Sequence, residues 1–401
     1  MTSVVKTPWQ ELRELLLKTG TMAPDWARAG DAVPRRVFLP DLMWPFDNDL
    51  DIPVSKTADP EAWSRWADSN VPITTQWDDG HHTGTAPGEW RTSSSSTPSL
   101  VFSMFRDLSV FDGARVLEIG TGTGWCAGLL SARLGERNVV SVELDEAVAD
   151  RAREALHAAG WHPEVVTGDG LLGWPNRAPY DRILVTAAVR DVPRAWIDQA
   201  RPGAVIVMPW GTRYSYRDAV ARLVVADDGT AGGRFTGPAG FMPLRSQRLD
   251  WPRHTDYIPG DNWPAGTRES VTRLAASSVV PENSYAAAVF VLGLLVPDCV
   301  HNHGRADDGT PVMWLYGLAD RSWAAVYFYG VDGRSVSQVY QGGPRNLWDE
   351  VEAAHGWWVD RGRPGHEEFG LTVMADGQQR VWLGDPSNLV SRMTAGPGGT
   401  R

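Results

Sequence analysis

The chain of 401 residues is long for a single hydrophobic core, so we expect two or three domains. Its formal charge of −11 argues against a nucleic-acid partner, because phosphate binding depends on Lys and Arg. The two cysteines, Cys126 and Cys299, are too few for a disulfide framework or a cysteine zinc site, and they favour a reducing, cytoplasmic environment.

Residues 1–92 predict a helical, tryptophan-rich extension. Pro8 to Lys18 has the spacing of apolar residues expected for a helix, and residues 22–31 predict a second, shorter one. From Leu42 to Trp90, tryptophans stand among many Asp, Pro and Gly residues, which predicts loops and short helices. We interpret these tryptophans as core filling. The alternative is that some of them line a peptide groove.

A run of hydroxyl side chains, Ser93-Ser94-Ser95-Ser96-Thr97, precedes Pro98 and a predicted helix from Ser99 to Leu108. Composition alone predicts a flexible linker or a helix N-cap here. On that interpretation the serines carry no chemistry.

A strand, a glycine turn and a helix form the centre of the sequence. Val116 to Ile119 predicts a short buried strand, and Trp125 to Leu134 predicts the helix that follows the turn. Gly120 and Gly122 would let the backbone turn sharply and approach a ligand closely. Glu118 lies directly before the turn, where it would repel a pyrophosphate. It therefore favours a ligand with a cationic end, such as S-adenosylmethionine.

Three further strand ends carry side chains suited to the same ligand. Glu143 ends a strand about 20 residues after the turn, a spacing suited to a carboxylate that binds two ribose hydroxyls. Asp169, in a Gly-Asp-Gly turn, could accept from an adenine amino group, and Tyr180 to Val185 is a strand followed by small residues. The alternatives are a helix cap or a solvated strand end for Glu143 and a plain turn carboxylate for Asp169. The predicted cofactor-binding residues are Glu118, Gly120, Thr121, Gly122, Gly124, Glu143, Leu144, Asp169, Gly170 and Thr186.

The motifs continue in order along the chain. They comprise Leu117 to Gly124, Gly168 to Gly170, Ala178 to Ile183, Val192-Pro193, Trp196 to Gln199, Pro202-Gly203, Met208 to Gly211 and Phe241 to Leu244. On these residues, the stretch from Ser93 to Arg245 resembles the protein L-isoaspartate O-methyltransferases. The resemblance implies an α/β, Rossmann-like class I methyltransferase fold, S-adenosyl-L-methionine as cofactor and a peptide carboxylate as methyl acceptor.

The resemblance also gives the serine run a role. Family members carry a short Ser/Thr motif whose hydroxyl and backbone N–H groups face the methyl acceptor. Aligned on Pro98, the family's serine falls on Ser96 and the preceding Thr falls on Ser94. The resemblance therefore implies Ser94, Ser95 and Ser96 as catalytic. Relatives often have His after the proline, where this chain has Ser99, and this departure bears on the identity of the substrate.

The region after the core predicts an accessory domain. We expect a methyltransferase core at 93–248, a linker at 249–268 and an α+β domain at 269–401 without a counterpart in the repair enzyme. The tail from Thr394 is rich in Gly and Pro and is expected to fray. The predicted elements of the accessory domain are strands at 286–296, 311–316, 323–329 and 335–340, a helix at 346–360 and a hairpin at 371–383.

Neither a membrane nor a metal is expected as a partner. The apolar stretch from Tyr285 to Val300 is interrupted by Gly293 and Pro297, which favours a buried pair of strands over a membrane helix. The N-terminus lacks the basic start and apolar core of a signal peptide. His301-Asn302-His303 lacks a third ligand nearby, so an exposed turn is expected there rather than a metal site.

Two family-level roles remain open. One is the repair of isoaspartate. The other belongs to enlarged relatives in pathways for ribosomally made peptides, which methylate a side-chain Asp carboxylate in a macrocyclised precursor. The tryptophan-rich insertion, the serine run and the accessory domain favour the second role, with a graspetide precursor preferred to a lanthipeptide. A non-catalytic peptide-binding module is the alternative from another class, while small-molecule and nucleic-acid methylation are disfavoured.

Overall fold

The computed structural model describes residues 6–258, 264, 267–281, 285–329 and 336–393. The chain divides into two compact units. The first comprises the described residues of Met1–Ala187, Val192–Met208 and Arg222–Gly232. The second comprises those of Ala188–Asp191, Pro209–Ala221 and Gly233–Arg401.

The α-helices of the described residues alternate with strands through the first unit and are fewer in the second. They are α1 (Pro8–Lys18), α2 (Ala27–Ala32), α3 (Pro60–Ala67), α4 (Pro98–Leu108), α5 (Trp125–Leu134), α6 (Glu146–Ala158), α7 (Arg194–Asp198), α8 (Ala276–Val279), α9 (Ala287–Leu295) and α10 (Leu347–Asp360). Local caps fix several helix starts: Thr7 and Gln10 form a capping box at α1, and the Asp145 carboxylate caps α6.

The strands form three sheets. In chain order they are β1 (Leu42–Asp47), β2 (Leu50–Asp51), β3 (Val54–Ser55), β4 (Ile73–Trp77), β5 (Arg91–Ser95), β6 (Val116–Ile119), β7 (Val139–Glu143), β8 (Glu164–Thr167), β9 (Tyr180–Val185), β10 (Ala200–Trp210), β11 (Asp218–Val225), β12 (Ala231–Ala239), β13 (Arg268–Thr272), β14 (Cys299–Arg305), β15 (Pro311–Gly317), β16 (Trp323–Tyr327), β17 (Ser337–Gly342), β18 (Phe369–Val373), β19 (Gln379–Leu383) and β20 (Leu389–Met393).

The first unit is built on a parallel sheet. Its strand order is β11-β10-β9-β6-β7-β8, and the pairs β10/β9, β9/β6, β6/β7 and β7/β8 are parallel. Strand β6 and helix α5 begin and end at the predicted residues, and β7 ends at Glu143 as predicted. The predicted Rossmann-like α/β fold is confirmed, and this order brings the carboxyl ends of β6, β7, β8 and β9 to one edge of the sheet.

The N-terminal region was expected to be helical, but it also contains a sheet. Residues 42–95 form a small antiparallel sheet with the order β2-β1-β4-β5, and β3 pairs with β1. Trp44, Trp63 and Trp77 are buried, as the core-filling interpretation requires, whereas Trp90 is exposed. The prediction of short helices is confirmed for α3, whereas part of the predicted loops forms strands as short as two residues, which the many Asp and Pro residues concealed.

The second unit contains an antiparallel sheet with the order β13-β17-β16-β15-β14 and the strands β20-β19-β18-β12-β11 of the longer sheet. The predicted strand at 286–296 is wrong, since Ala287–Leu295 forms helix α9. Its residues are apolar on all sides, so the sequence offers no helical period to distinguish it from a buried strand. The helix α10 and the strands β15, β16, β18 and β19 lie where they were predicted.

Part of the predicted linker is packed. Leu249, Trp251 and Tyr257 lie against an aromatic cluster that contains Tyr316 and Trp323. The linker residues 259–263 and 265–266 and the predicted frayed tail from Thr394 lie outside the described residues. The domain boundaries 1–92, 93–248, 249–268 and 269–401 therefore stay a prediction.

The His301-Asn302-His303 segment is part of strand β14 rather than an exposed turn. Within the described part of the chain, no three His, Cys, Asp or Glu side chains are grouped to hold a metal ion. Over the same residues, no helix combines the length and the apolar character needed to cross a bilayer.

Candidate functional site

The glycine turn after β6 is so tightly packed that side chains are excluded from it. Gly120 has a φ of +93°, and an added Cβ would lie 2.9 Å from the Thr186 Oγ1. Gly122 has a φ of +54°, and its Cβ would lie 3.3 Å from the carbonyl oxygen of Ser94. Gly124, with a φ of +88°, packs in the same way against Ala152 of α6. These conformations favour glycine, and they let a ligand approach bare backbone.

Glu118, at the end of β6, is fully buried and only half satisfied. Its Oε2 accepts a 2.5 Å hydrogen bond from the Ser141 hydroxyl, which lies 2.6 Å from the Thr121 hydroxyl. Its Oε1 is buried without a hydrogen-bond partner in the described structure. Desolvation and the nearby Glu143 raise the pKa of Glu118 to about 8, against the effect of the Ser141 hydrogen bond. A cation placed here would stabilise the ionised form.

Glu143, at the end of β7, faces the glycine turn. Its Oε2 accepts from the Gly122 N–H at 2.9 Å, and its Oε1 accepts from the Asp145 N–H at 3.1 Å. The alternative role of Glu143 as a helix cap is not realised, because Asp145 caps α6. Leu144, between them, is 44% exposed.

The ends of β8 and β9 complete the edge. Asp169 is exposed, and its Oδ1 accepts from the Leu171 N–H at 2.9 Å, so it acts as a turn carboxylate at least in part. Gly170 is buried, and a Cβ there would lie 2.6 Å from Ile119. Thr186 donates to the Gly120 carbonyl at 2.6 Å. The structure thus brings all ten predicted cofactor residues to one edge of the sheet.

The serine run is a strand, not a linker or a helix cap. Strand β5 lies at the edge of the small sheet, and its side chains alternate between two faces. Ser93 and Ser95 are buried, whereas Ser94 and Ser96 are half-buried. The close approach of Gly122 to Ser94 places β5 beside the glycine turn.

Arg35, which the sequence had not indicated as a site residue, anchors this strand. Its guanidinium is buried and donates to the Ser95 Oγ at 2.9 Å, to the Ser95 carbonyl at 2.7 Å and to the Ser96 carbonyl at 3.0 Å. Burial lowers the pKa of Arg35 to about 9. The Ser95 hydroxyl thus accepts from Arg35 and keeps its own O–H as a donor, and the assignment of Ser94, Ser95 and Ser96 as catalytic stays a prediction. The sequence signal that could have identified Arg35 is the basic, aromatic and proline residues of the stretch Arg35 to Pro40.

The donor set fits a cationic, phosphate-free ligand. Two acids, Glu118 and Glu143, flank the turn, and no Lys or Arg appears among the ten predicted ligand residues. The half-satisfied Glu118 carboxylate and the bare glycine backbone leave a buried acceptor that a ligand ammonium could satisfy. A pyrophosphate would be repelled here, so the geometry fits S-adenosylmethionine better than a dinucleotide.

Comparison with known proteins identifies the family. The family model described as Protein-L-isoaspartate(D-aspartate) O-methyltransferase (PCMT) matches residues 64–249. Protein-L-isoaspartate O-methyltransferase 2 of Archaeoglobus fulgidus is 36% identical over 157 residues, which are 38% of this chain and 69% of that relative. The chain belongs to the protein-L-isoaspartate O-methyltransferase family. The enzyme of that name from Methanoculleus marisnigri is 49% identical over 153 residues, 38% of this chain and 67% of the relative.

Family membership makes this protein a protein carboxyl methyltransferase that uses S-adenosylmethionine. A solved structure named protein-L-isoaspartate O-methyltransferase shares its fold with a TM-score of 0.52 and 23% identity, over 94% of this chain and 99% of that one. Such coverage extends well into the residues after 268. This region therefore has a counterpart in the fold of that one structure.

Proposed function

We propose that this methyltransferase acts on the side-chain carboxylate of an Asp residue in a macrocyclised ribosomal precursor peptide, with a graspetide preferred to a lanthipeptide. The proposal is carried by the position of β5, whose Ser94 carbonyl oxygen would lie 3.3 Å from a Cβ at Gly122. The hydroxyls of Ser94, in β5, and of Ser96, directly after it, belong to half-buried, uncharged side chains. Ser99, where relatives often carry His, supports a substrate other than the usual one.

In this proposal the strand-end residues hold the cofactor. Glu118 would accept from its ammonium group, Glu143 from its ribose hydroxyls and Asp169 from its adenine amino group. Glycines 120, 122, 124 and 170, with Thr121, Leu144 and Thr186, would form the surrounding walls. When bound, S-adenosylmethionine supplies an electrophilic methyl group, and its transfer to a carboxylate oxygen leaves S-adenosylhomocysteine and a methyl ester.

The acceptor needs no general base. A carboxylate with a pKa of about 4 is already ionised at neutral pH. Its reactivity depends on orientation and partial desolvation, which short hydroxyl donors supply without placing a cation beside the sulfonium. Ser94 and Ser96 are therefore assigned to orient the carboxylate, and Arg35 to hold the strand that carries them.

The ester is chemically activated. The backbone nitrogen of the residue after the aspartyl ester can attack the ester carbonyl, lose its proton and expel methanol. The product is a succinimide, an aspartimide that either persists or opens by hydrolysis to isoaspartate or aspartate. Methyl transfer is thus the only step that the enzyme must catalyse.

The second unit is proposed to contribute to precursor binding. Of the three tryptophans first considered, Trp348 is buried in the core of that unit and is excluded. Trp357 and Trp358 are half-buried on α10. Because the second unit also includes residues 209–221, a truncation after Gly266 would not remove it cleanly. Replacing Trp357 by Ala should instead weaken precursor binding and leave cofactor affinity unchanged, as measured by calorimetry.

Isoaspartate repair is the second candidate. The observation that favours it is the similarity of the extended fold to a structure named protein-L-isoaspartate O-methyltransferase. In repair the acceptor would be the α-carboxylate of an isoaspartyl residue, and the same serines would orient it.

Mass spectrometry separates the two candidates. The enzyme and S-adenosylmethionine are incubated in parallel with a linear isoaspartyl peptide and with a macrocyclised peptide that contains an Asp residue. A gain of one methyl group followed by loss of methanol on the cyclic peptide alone supports the proposal. Methylation of the linear isoaspartyl peptide supports repair. The Glu143→Ala variant serves as the control for cofactor-dependent turnover.

A further inference from the structure

A cleft in the first unit opens beside the serine strand. Residues 37–40 form an apolar wall of the cleft, and Ser93, Gly122 and residues of helix α6 line the rest of it. Val148, Arg151 and Ala155 lie along one stripe of α6, at the spacing that places side chains on a common face. The cleft thus adjoins both the glycine turn and the strand that carries the proposed acceptor-orienting serines.

Arg151 is the single charged residue among those that line the cleft. It is exposed, and it makes no hydrogen bond or ion pair within the described residues. Arg153, two positions later, is different, because it pairs with Asp150 and donates to the Val165 carbonyl and the Thr167 hydroxyl. The Arg151 guanidinium is therefore a positive charge beside an apolar wall, without a partner among the described residues, in a chain with a net charge of −11.

The Arg151 guanidinium is chemically suited to bind a carboxylate. Guanidinium groups bind carboxylates through paired N–H donors, and the adjoining apolar wall suits the methylene groups of an acidic side chain. An extended peptide advances about 3.3–3.6 Å per residue, so residues within a few positions of the methylated one can reach a neighbouring cleft.

We propose that this cleft is a peptide subsite that accepts an Asp or Glu side chain of the substrate, near the methylated residue, with Arg151 as its partner. The proposal rests on the proposed function, because it assumes a peptide substrate. It adds a specificity determinant: the enzyme selects peptides with an acidic residue at a fixed distance from the target.

The test uses peptides in two forms, linear isoaspartyl and macrocyclic Asp-containing, with Glu, Gln or Lys at each of three positions on either side of the target. Methyl incorporation gives kcat and KM, and fluorescence anisotropy of labelled peptides gives binding without turnover. The variants are Arg151→Glu, Arg151→Lys and the control Arg65→Glu, which removes an exposed positive charge on α3 outside the cleft.

The wild-type enzyme should bind Glu peptides about two- to fivefold more tightly than Gln peptides at one or two positions, through KM and not kcat. Arg151→Glu should reverse this preference in favour of Lys, Arg151→Lys should keep part of it, and Arg65→Glu should retain it fully. S-adenosylmethionine affinity should be equal in all four proteins.

Absence of any charge preference in the binding assay, or an equal effect of Arg65→Glu, would overturn the subsite. A loss of cofactor affinity in Arg151→Glu would also overturn it, by assigning the arginine to the cofactor. If no peptide of either form is methylated, the proposed function fails, while the anisotropy measurements still decide the subsite.

Discussion

Glu118 in the first unit and Asp218 in the second are fully buried acids, and desolvation raises their pKa values to about 8 and about 6. Asp218 has a cation within the fold, since its Oδ1 lies 2.8 Å from the Arg190 Nη1, and both side chains are buried. Glu118 has a hydroxyl and a second acid nearby but no ion pair in the described structure. Both acids have buried carboxylate oxygens without a hydrogen-bond partner in the described structure, so the ion pair is what distinguishes them. Asp218 is compensated by Arg190 within the fold, and the proposed function assigns the compensation of Glu118 to the positive charge of a ligand.

The largest effect on stability is expected from removing the ion-pair partner of Asp218. Replacing Arg190 by Met should lower the free energy of unfolding by about 3–5 kcal/mol near pH 8, because it leaves a buried carboxylate without compensation. The pKa of Asp218 is raised from 3.8 to about 6 in the folded state, so most of the folded protein carries a neutral Asp218 near pH 5. A neutral Asp218 does not need the Arg190 charge, and the loss of stability caused by Arg190→Met should therefore be smaller near pH 5 than near pH 8. Urea denaturation at both pH values measures it.

The double variant Arg190→Met, Asp218→Asn is the matched control and should recover much of the lost stability. An equal loss at both pH values, without recovery in the double variant, would show that the ion pair is not the cause.

Replacement of Glu118 should lower cofactor affinity without lowering the stability of the unliganded protein. Replacing it by Gln removes the proposed partner of the cofactor ammonium and should reduce S-adenosylmethionine affinity by about 3 kcal/mol, the upper end for a charged hydrogen bond. The unliganded variant should be at least as stable as the wild type above pH 8, because ionisation of the buried Glu118 opposes folding as the pH rises from 4.5 to about 8. Calorimetric titration and thermal unfolding measure the two quantities.

The pH dependence of binding gives a sharper signature. Wild-type affinity should rise with pH up to about 8, as Glu118 ionises, and then fall as the α-amino group of the ligand loses its proton. The Gln variant should lack the rising limb and keep the falling one. A rising limb of equal size in both proteins would remove Glu118 from the cofactor site.

A smaller loss is expected at Glu143. Replacement by Ala should cost roughly 1.5–3 kcal/mol of cofactor affinity, by removing charge-assisted bonds to the ribose. Glu143→Gln retains one acceptor for the Gly122 N–H and separates the ribose contact from support of the turn. Calorimetry that finds unchanged affinity in the Ala variant would mean that the second strand end does not bind the cofactor.

The accuracy of the sequence-based predictions follows from how locally each element is determined. The strand β6, the glycine turn and α5 could be predicted because Val116, Leu117 and Ile119 are apolar and the glycines need positive φ. The strand ends Glu143 and Asp169 followed from the fixed order of parallel strands.

The elements that were missed depend on distant partners. Arg35 is 60 residues from Ser95, and only the folded chain shows that they meet. Strand β5 has no apolar alternation, since the Ser95 hydroxyl contacts the buried Arg35 guanidinium and the Ser93 hydroxyl and Ser94 carbonyl lie beside the glycine turn. Helix α9 is apolar all round, because it lies in the core of the second unit, and so it showed no period.

The smallest effects should separate the two faces of the serine strand. Ser96→Ala should reduce kcat about two- to tenfold, the equivalent of one lost hydrogen bond, with cofactor affinity and stability unchanged. Ser95→Ala should instead lower stability by about 1–2 kcal/mol, because the Arg35 Nε loses its hydroxyl acceptor while its guanidinium remains buried. Single-turnover methylation and urea denaturation measure the two quantities in each variant. If Ser95→Ala affects only kcat and Ser96→Ala only stability, the faces have been assigned in reverse, and the acceptor lies on the Arg35 side of β5.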